Sequence, residues 1–297
     1  MMIDLHMHSV FSVDARDEPE QLIQCAADQG ISAVAITEHN NVASLQRAKA
    51  EAERLKLTYV HGIEIGSRLA MEGHPESVVD ILGYHFDEDA THISKLCNRM
   101  RARQQWATDT VLAGLALMDI PITLERVQAA YPDRVSTWAI RRMLREEGLA
   151  ADKPESSRIE TDAIKRALEH EPARVSQRGP AVTTQETIDA IHADGGMAFM
   201  AHPFWLTKPE RGGFPPEFIW AQIERVFELG VDGLEAFNTS NDSGYAPHVL
   251  KYCRERGCPA SGGSDSHGIG IIGSAAIPDE LLESMQRHRQ GLDPWTG

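Results

Sequence analysis

Five apolar segments that lie far apart in this chain each end in histidine or acidic residues. They are residues 1–8, 33–40, 59–64, 197–203 and 258–268. Short apolar runs are typical of buried β-strands, and parallel strands that alternate with helices place their carboxyl ends at one face of a barrel. Polar residues at several strand ends are therefore expected to meet. The pattern predicts an α/β barrel with a functional site at that face.

The first segment indicates what such a site could hold. Alternate residues of a strand point to the same side, so Asp4, His6 and His8 share a face. Two converging imidazoles suit a divalent metal ion. Taken alone, the motif is more often a pair of histidines on an exposed strand edge. Its recurrence at four other strand ends favours a metal site.

Helix signals lie between the predicted strands. Asp17 and Pro19 predict the start of a helix that Gly30 ends, and Thr183 with Glu186 has the spacing of a capping box. The pattern of residues 43–56 predicts an amphipathic helix. Further strands are predicted near residues 58–65, 77–84, 197–201, 231–237 and 259–263. Strands that alternate with helices predict the βα repeat of a parallel sheet.

Residues 88–178 break this alternation, because they show helical spacing and no convincing strand. We therefore predict a metal-binding barrel formed by residues 1–87 and 179–297, with residues 88–178 as a helical insertion. The insertion could act as a lid or specificity module, or it could only buttress the barrel. The sequence favours neither role.

The composition limits the partners of the chain. Twenty-nine Lys and Arg against 44 Asp and Glu give a formal net charge of -15, which argues against an extended nucleic-acid partner. No apolar stretch is long enough to cross a membrane, and ligand-type His6 and His8 leave no room for a removable signal peptide. These features predict a cytoplasmic protein. Four cysteines without C-x-x-C spacing indicate neither a disulfide framework nor a structural zinc site, and the oligomeric state does not follow from the sequence.

The motifs and their order resemble those of the polymerase and histidinol phosphatase (PHP) family of metal-dependent phosphoesterases. The matching segments are Asp4-x-His6-x-His8, Thr37-Glu38-His39-Asn40, Gly62-Ile63-Glu64, Ala201-His202-Pro203 and Gly263-Ser264-Asp265-Ser266-His267-Gly268. The resemblance implies a distorted (βα)7 TIM-like barrel. It also implies two or three divalent metal ions per chain, with manganese, iron or zinc expected and magnesium as an alternative.

The resemblance further implies which residues bind these ions. The ligands form three groups: His6, His8, Glu64 and Asp265; Glu64 again with Asp80 and His202; and Asp14, His39 and His267. Glu64, Asp265 and His202 are implied to be catalytic. The implied mechanism is attack on phosphorus by a hydroxide that bridges two metal ions.

Three residues depart from the family pattern. Glu38 and Asn40 replace acidic residues that lie mainly behind the ligands, so we expect tuning of metal affinity more than its loss. Asp80 stands where relatives often carry histidine. A carboxylate is still a good ligand for the expected metals, and the alternative for Asp80 is a salt-bridged residue at a strand end.

Substrate contacts are expected from Arg134, Arg178 and Asn238. Arg134 lies where relatives carry an Arg-Pro-His sequence that reaches toward phosphate, although the Pro and His are absent here. The alternative for Arg134 is an exposed arginine before a capped helix. A base could stack on one of the tryptophans, although burial is their usual role; the candidates are Trp106, Trp138 and Trp205.

Three classes of function are compatible with these residues. We expect first a hydrolase of a small phosphomonoester, such as a nucleotide, a sugar phosphate or an amino-alcohol phosphate. A phosphodiesterase or short-oligonucleotide exonuclease is second, because the same metal cluster serves both reactions. A metal-binding domain without turnover is third, and its only motivation is Glu38, Asn40 and Asp80.

Overall fold

The computed structural model of this chain describes residues 2–74, 76–132, 134–239, 244–274 and 277–295, which form a mixed α/β fold. Two compact units are present. The sheet unit comprises Met1–Leu96 with Val182–Gly297, and the helical unit comprises Cys97–Ala181. Among the described residues, no helix is both long enough and apolar enough to span a membrane.

All strands of the described residues lie in the sheet unit and form two sheets. They are β1 (Met2–Asp4), β2 (Ile31–Val34), β3 (Thr58–Tyr59), β4 (Gly62–Leu69), β5 (Ser77–Tyr84), β6 (Met197–Met200), β7 (Gly233–Asn238) and β8 (Ala260–Gly263). The first sheet has the order β1-β2-β3, and the second has the order β4-β5-β6-β7-β8. Every residue of β6 and β8 is buried, as expected for short apolar strands.

The prediction of a purely parallel repeat is wrong for β4 and β5. These strands form an antiparallel hairpin, and β5 also pairs antiparallel with β6. Only residues 70–76 connect β4 to β5, whereas a parallel crossover needs about a dozen residues or more. The predicted strand near 58–65 is also divided, since β3 and β4 belong to different sheets.

Backbone hydrogen bonds outside the regular strand pairs join the two sheets on both sides. The Leu5 N–H donates to Gly262 O (3.1 Å), and the Asp265 N–H donates to His6 O (2.7 Å). On the other side the Glu64 N–H donates to Glu38 O (3.1 Å). A side chain at Gly263 would not fit, because its Cβ would lie 2.2 Å from His6 Cβ. Glycine therefore permits the close approach that brings His6 beside Asp265.

Helices follow the strands of the sheet unit and make up the helical unit. They are α1 (Pro19–Asp28), α2 (Leu45–Leu55), α3 (Thr91–Leu117), α4 (Leu124–Ala130), α5 (Thr137–Glu146), α6 (Lys153–His170), α7 (Arg174–Gln177), α8 (Thr184–Ala193), α9 (Pro216–Glu228), α10 (Ala246–Arg256) and α11 (Glu280–Arg289). The predicted capping box of Thr183 and Glu186 starts α8. Helix α1 begins with a capping box of Glu18 and Gln21, one residue after the predicted Asp17.

The helical unit has an apolar core of its own, and none of its described residues belongs to a strand. Its buried residues include Val111 and Leu115 of α3 and Ile140 and Leu144 of α5. These positions repeat at helical spacing, which is why the sequence predicts helices here. Ser136 caps α5 by accepting a hydrogen bond from the Ala139 N–H.

Asp194 connects the end of α8 to the start of α3. Its carboxylate accepts hydrogen bonds from the backbone N–H groups of His92 (2.9 Å) and Ile93 (2.8 Å), and it lies 2.7 Å from His92 Nδ1. An anion at a helix N-terminus satisfies N–H groups that have no partner within the helix and interacts favourably with the helix dipole. Burial opposes ionisation of Asp194, but these hydrogen bonds hold its pKa below the usual value of 3.8.

We expect Asp194→Asn to lower the free energy of unfolding by about 1–2 kcal/mol near neutral pH, because the amide lacks the charge. The Asp194 pKa is lower in the folded state, so its contribution is present above about pH 4 and is lost as the pH falls through the folded-state pKa. Urea unfolding at neutral and acid pH measures both effects. Asp189→Asn, an exposed carboxylate on the same helix, is the matched control, and an equal effect of the two variants would contradict the assignment.

Candidate metal centre

The buried carboxylate of Glu64 on β4 lies at the centre of the candidate site. Its Oε1 is 2.9 Å from His202 Nε2. Its Oε2 is 2.9 Å from His39 Nδ1 and 3.3 Å from His8 Nε2, yet it makes no hydrogen bond with the described residues. A buried carboxylate oxygen without a hydrogen bond is costly unless another partner satisfies it. Glu64 is therefore a candidate ligand shared between metal ions.

His6, His8 and Asp265 lie beside this carboxylate. The two Nε2 atoms of His6 and His8 are 3.1 Å apart. Asp265 Oδ1 lies 3.5 Å from His6 Nε2 and 3.3 Å from His8 Nε2. The structure thus brings together the first implied ligand group, which comes from the end of β1, from β4 and from the residues after β8.

The third implied group adjoins the first through His8. Asp14 Oδ2 lies 3.7 Å from His39 Nε2 and 3.4 Å from His267 Nε2. The imidazole of His8 stacks on that of His39 with ring centroids 4.1 Å apart, and the ring centroid of His267 is 4.5 Å from that of His8. Asp14, on the loop after β1, therefore contacts both histidines of its implied group.

Asp80 lies at the other end of the cluster. Its Oδ2 is 3.8 Å from His202 Nε2, so the cation that pairs with it is an imidazole of the site itself. The sequence analysis gave a salt-bridged residue at a strand end as the alternative role of Asp80. The residue lies within β5, and its contact with His202 is an ion pair. Asp80 thus lies together with Glu64 and His202, and its role as a metal ligand stays a prediction.

All nine residues expected to bind metal lie in one contiguous cluster of the sheet unit. In three sets of three residues, one ligand atom from each lies within 4.8 Å of the others: His6, His8 and Glu64; Glu64, Asp80 and His202; and His8, His39 and His267. Neighbouring sets share Glu64 or His8. This sharing is suited to metal ions that lie close together.

Two of these residues have backbone conformations that are uncommon outside glycine. His202 follows β6 with φ of 27°, and Asp265 follows β8 with φ of 53°. Residues with positive φ are sterically strained, and such strain is concentrated at functional sites. The strained turns occur where the two strands end and the chain must turn the side chains into the cluster.

Glu235 on β7 is a site residue that the sequence reasoning missed. Its Oε1 lies 2.8 Å from His6 Nδ1, and its Oε2 accepts a hydrogen bond from the His202 N–H (2.7 Å). A carboxylate next to Nδ1 favours a proton on that atom and leaves the Nε2 lone pair for a metal ion. Glu235 lies two residues before the end of the predicted strand of residues 231–237, so an acidic residue near a strand end was the available signal.

The residues that depart from the family pattern at the second motif lie behind the ligands. Glu38 accepts hydrogen bonds from the hydroxyls of Ser9 and Ser12, and the Ser12 hydroxyl accepts from the His39 N–H (2.9 Å). Asn40 Oδ1 accepts from the Gly66 N–H (3.2 Å). These contacts position His39 and the backbone beside Glu64, which agrees with the expectation that they tune the site.

Burial and the mutual charges of the cluster shift its ionisation equilibria strongly. Burial, together with the neighbouring His39 charge, lowers the pKa of His8 to about 3. Burial also disfavours the charged form of His202, but the hydrogen bond and charge of Glu64 raise its pKa to about 9. Glu235, Glu64 and Asp265 likewise hold the pKa of His6 well above its usual value despite burial. The carboxylates thus stabilise positive charge at this point, whether imidazolium or metal cation.

The three residues expected to contact substrate have different surroundings. Buried Asn238 lies at the end of β7, and its Nδ2 donates to Glu235 Oε2 (2.9 Å). This contact gives Asn238 a role in holding Glu235. Arg134 and Arg178 belong to the helical unit, where the Arg178 guanidinium lies 5.5 Å from the Trp106 ring centroid. Substrate contact by any of the three stays a prediction.

The donors of the cluster fit divalent metal ions. Imidazole nitrogens mixed with carboxylate oxygens are the ligands that manganese, iron and zinc accept. Every cationic group within 4 Å of the Glu64 carboxylate in the described structure is an imidazole. Because no Lys or Arg is among them, a metal ion is the partner that best suits the Glu64 oxygen without a hydrogen bond.

The comparisons with known proteins agree with this site. Residues 4–115 match the model of the PHP domain, so the predicted resemblance to the PHP family is confirmed. A solved structure from Bifidobacterium adolescentis, described as a metal-dependent phosphoesterase, is similar to this chain with a TM-score of 0.71 and 25% identity. The structural match covers 96% of this chain and 95% of the Bifidobacterium adolescentis chain. The chain is thus similar to metal-dependent phosphoesterases of PHP type.

Two relatives align with nearly the whole chain. A phosphoribosyl 1,2-cyclic phosphate 1,2-diphosphodiesterase of Eggerthella lenta is 27% identical over 90% of this chain and 95% of its own length. A 5'-3' exoribonuclease of Haemophilus influenzae is 24% identical over 89% of each chain. Both names denote hydrolysis of phosphodiester bonds.

We expect Glu235→Gln to weaken metal binding by about ten- to a hundredfold while the chain still folds. In the wild type the two carboxylate oxygens accept hydrogen bonds from the His6 ring and from the His202 N–H. A glutamine has only one such oxygen, so its NH2 group would face one of these two donors. Competition with a metal-binding dye measures the affinity, and circular dichroism checks the fold. Glu217→Gln, at an exposed position of α9, should bind metal as the wild type does. Unchanged affinity in Glu235→Gln would show that Glu235 does not orient the ligands.

Proposed function

We propose that this chain hydrolyses a phosphoric ester of a small molecule at the cluster around Glu64, and that a phosphodiester is its substrate. The observation that carries the proposal is a cluster of nine imidazole and carboxylate side chains around Glu64, one of whose buried oxygens has no hydrogen bond with the described residues. Metal-dependent phosphoesterases use such clusters to bind adjacent cations.

In this proposal the three implied ligand groups hold the metal ions, with Glu64 shared between two groups. The mixed nitrogen and oxygen donors suit manganese, iron or zinc, with magnesium as an alternative. Bound cations at this position would activate water and neutralise the charge of the phosphate. Glu235 orients the His6 ring and holds the backbone N–H of His202. Asp265 adds negative charge beside both His6 and His8. Glu64, Asp265 and His202 are the residues on which turnover should depend most.

The names of the relatives favour a phosphodiester over the phosphomonoester that the sequence ranked first. Both the Eggerthella lenta and the Haemophilus influenzae relatives are named for the cleavage of diester bonds. The same cluster is chemically competent for a small phosphomonoester, which is the second candidate.

The substrate is expected to be small, although an exoribonuclease is among the relatives. The net charge of -15 disfavours a long polyanion by electrostatic repulsion. Binding to a labelled oligonucleotide at several salt concentrations distinguishes the cases, because an extended interface gives a steep dependence on salt. A flat dependence with cleavage of short diesters would support a small substrate.

We also propose the barrel and its insertion as the architecture behind this activity. The hydrogen bonds that join the two sheets on both sides support one distorted barrel of residues 1–87 and 179–297. The place of residues 88–178 between β5 and β6 supports a helical insertion that controls access or specificity. Deleting the insertion and closing the chain with a short linker would test this role through the KM for the substrate.

We expect Asp265→Asn to lose at least one metal ion per chain and to lower kcat/KM by about a hundredfold or more. The amide removes a negative charge that faces two imidazoles of the cluster. Metal content by mass spectrometry and release of p-nitrophenol from bis(p-nitrophenyl) phosphate with added manganese measure these effects. Asp28→Asn, at an exposed position of α1, is the control and should retain both properties.

Full activity of Asp265→Asn would contradict the proposal. A wild-type protein that binds its full set of metal ions but cleaves no ester in a broad panel of monoesters and diesters would instead support a metal-binding domain without turnover.

A further inference from the structure

An apolar pocket of about 300 Å³ lies in the sheet unit and shares Asp80 and His202 with the candidate metal centre. Its walls come from β5, from the end of β6, from the 3-10 turn that follows it and from α9. The lining side chains that carry the argument are Val78, Met200, Trp205, Leu206, Phe214 and Phe218. A ligand held at the Asp80 and His202 end of the metal centre can therefore extend into an apolar space.

Aromatic rings form one wall of this pocket. Phe214 stacks on Phe218 with ring centroids 4.7 Å apart and a 20° angle between the ring planes. The Trp205 ring centroid lies 5.5 Å from that of His202, and the Arg211 guanidinium carbon lies 4.2 Å from the Trp205 centroid. The indole thus contacts both a metal-site histidine and a cation, which restricts its orientation.

Apolar side chains at the pocket are exposed to solvent. Phe214 is 40% exposed and Val78 is 49% exposed. A concave apolar surface that is connected to a polar reaction site is typical of a ligand pocket. Since Asp80 and His202 belong to the metal centre, the ligand expected here is the part of the substrate that is attached to its phosphate.

We propose that this pocket binds a planar aromatic ring of the substrate, namely a nucleobase, while the phosphate lies at the metal centre. The proposal rests on the proposed function. A sugar ring is disfavoured here, because most of the lining side chains are apolar and would leave many of its hydroxyls without hydrogen bonds. An alkyl chain would fit by apolarity alone, whereas a base also gains from stacking on Trp205, Phe214 or Phe218.

Two esters with the same leaving group test the pocket directly. Thymidine 5'-(p-nitrophenyl phosphate) carries a base, and the corresponding ester of abasic 1,2-dideoxyribose lacks it. The chemistry at phosphorus is the same, so a difference in kcat/KM reports the binding of the base. We expect the thymidine ester to be preferred by roughly five- to a hundredfold.

Phe214→Ala should remove most of this preference and leave kcat/KM for the abasic ester within about twofold of wild type. The partly exposed Phe214 is not expected to be essential for folding. Trp205→Phe should retain the preference, whereas Trp205→Ala should lose it. Phe227→Ala is the matched control, because Phe227 lies on α9 but outside the pocket, against Tyr252, and it should behave as wild type.

A binding measurement separates failure of the pocket from failure of the proposed function. Saturation-transfer NMR of adenosine with the chelator-treated protein should show contact at the base protons, and the signal should fall in Phe214→Ala. Equal kcat/KM for the two esters, or a preference that persists in both Phe214→Ala and Trp205→Ala, would overturn the pocket assignment. If no ester is cleaved, the proposed function fails, and adenosine binding still supports or refutes the pocket.

Discussion

The structure of the site depends on the buried Glu64 carboxylate and the imidazoles around it. His8, His39 and His202 come from the ends of three different strands, and each places a ring nitrogen within 3.3 Å of a Glu64 oxygen. A buried carboxylate is expensive unless positive charge compensates it, and the cost reaches several kcal/mol. The segments that supply these rings must therefore lie close to Glu64. Because His8 and His39 follow strands of the first sheet and Glu64 lies in the second, these contacts hold the two sheets together at the site.

The rest of the sheet unit can be understood as support for this arrangement. Gly263 permits β8 to approach His6 closely, and Glu235 holds the His6 ring together with the backbone of His202. The positive φ angles of His202 and Asp265 cost energy that the surrounding structure must offset. The strained backbone at these two residues lowers the free energy of unfolding, and a bound cation would raise it again in part.

The sequence predicted which side chains come together, because most of them lie at or near the end of a local apolar run that can be recognised without the fold; their role as metal ligands stays a prediction. His6 and His8 followed from strand periodicity, and the family resemblance implied distant members such as Asp14 and Asp80. The antiparallel β4–β5 hairpin was missed, because an apolar strand pattern does not show the direction of its partner. Glu235 was missed for a related reason. Its position near a strand end was a local signal, but its role depends on a contact with His6, 229 residues away along the chain, which that signal does not show.

The most direct test of this account is an anomalous diffraction map from crystals grown with manganese. We expect at least two manganese peaks within the cluster, with a Glu64 oxygen at a bonding distance of about 2.2 Å from a metal ion. The absence of manganese peaks among the nine side chains, in crystals of protein that retains phosphoesterase activity, would contradict it.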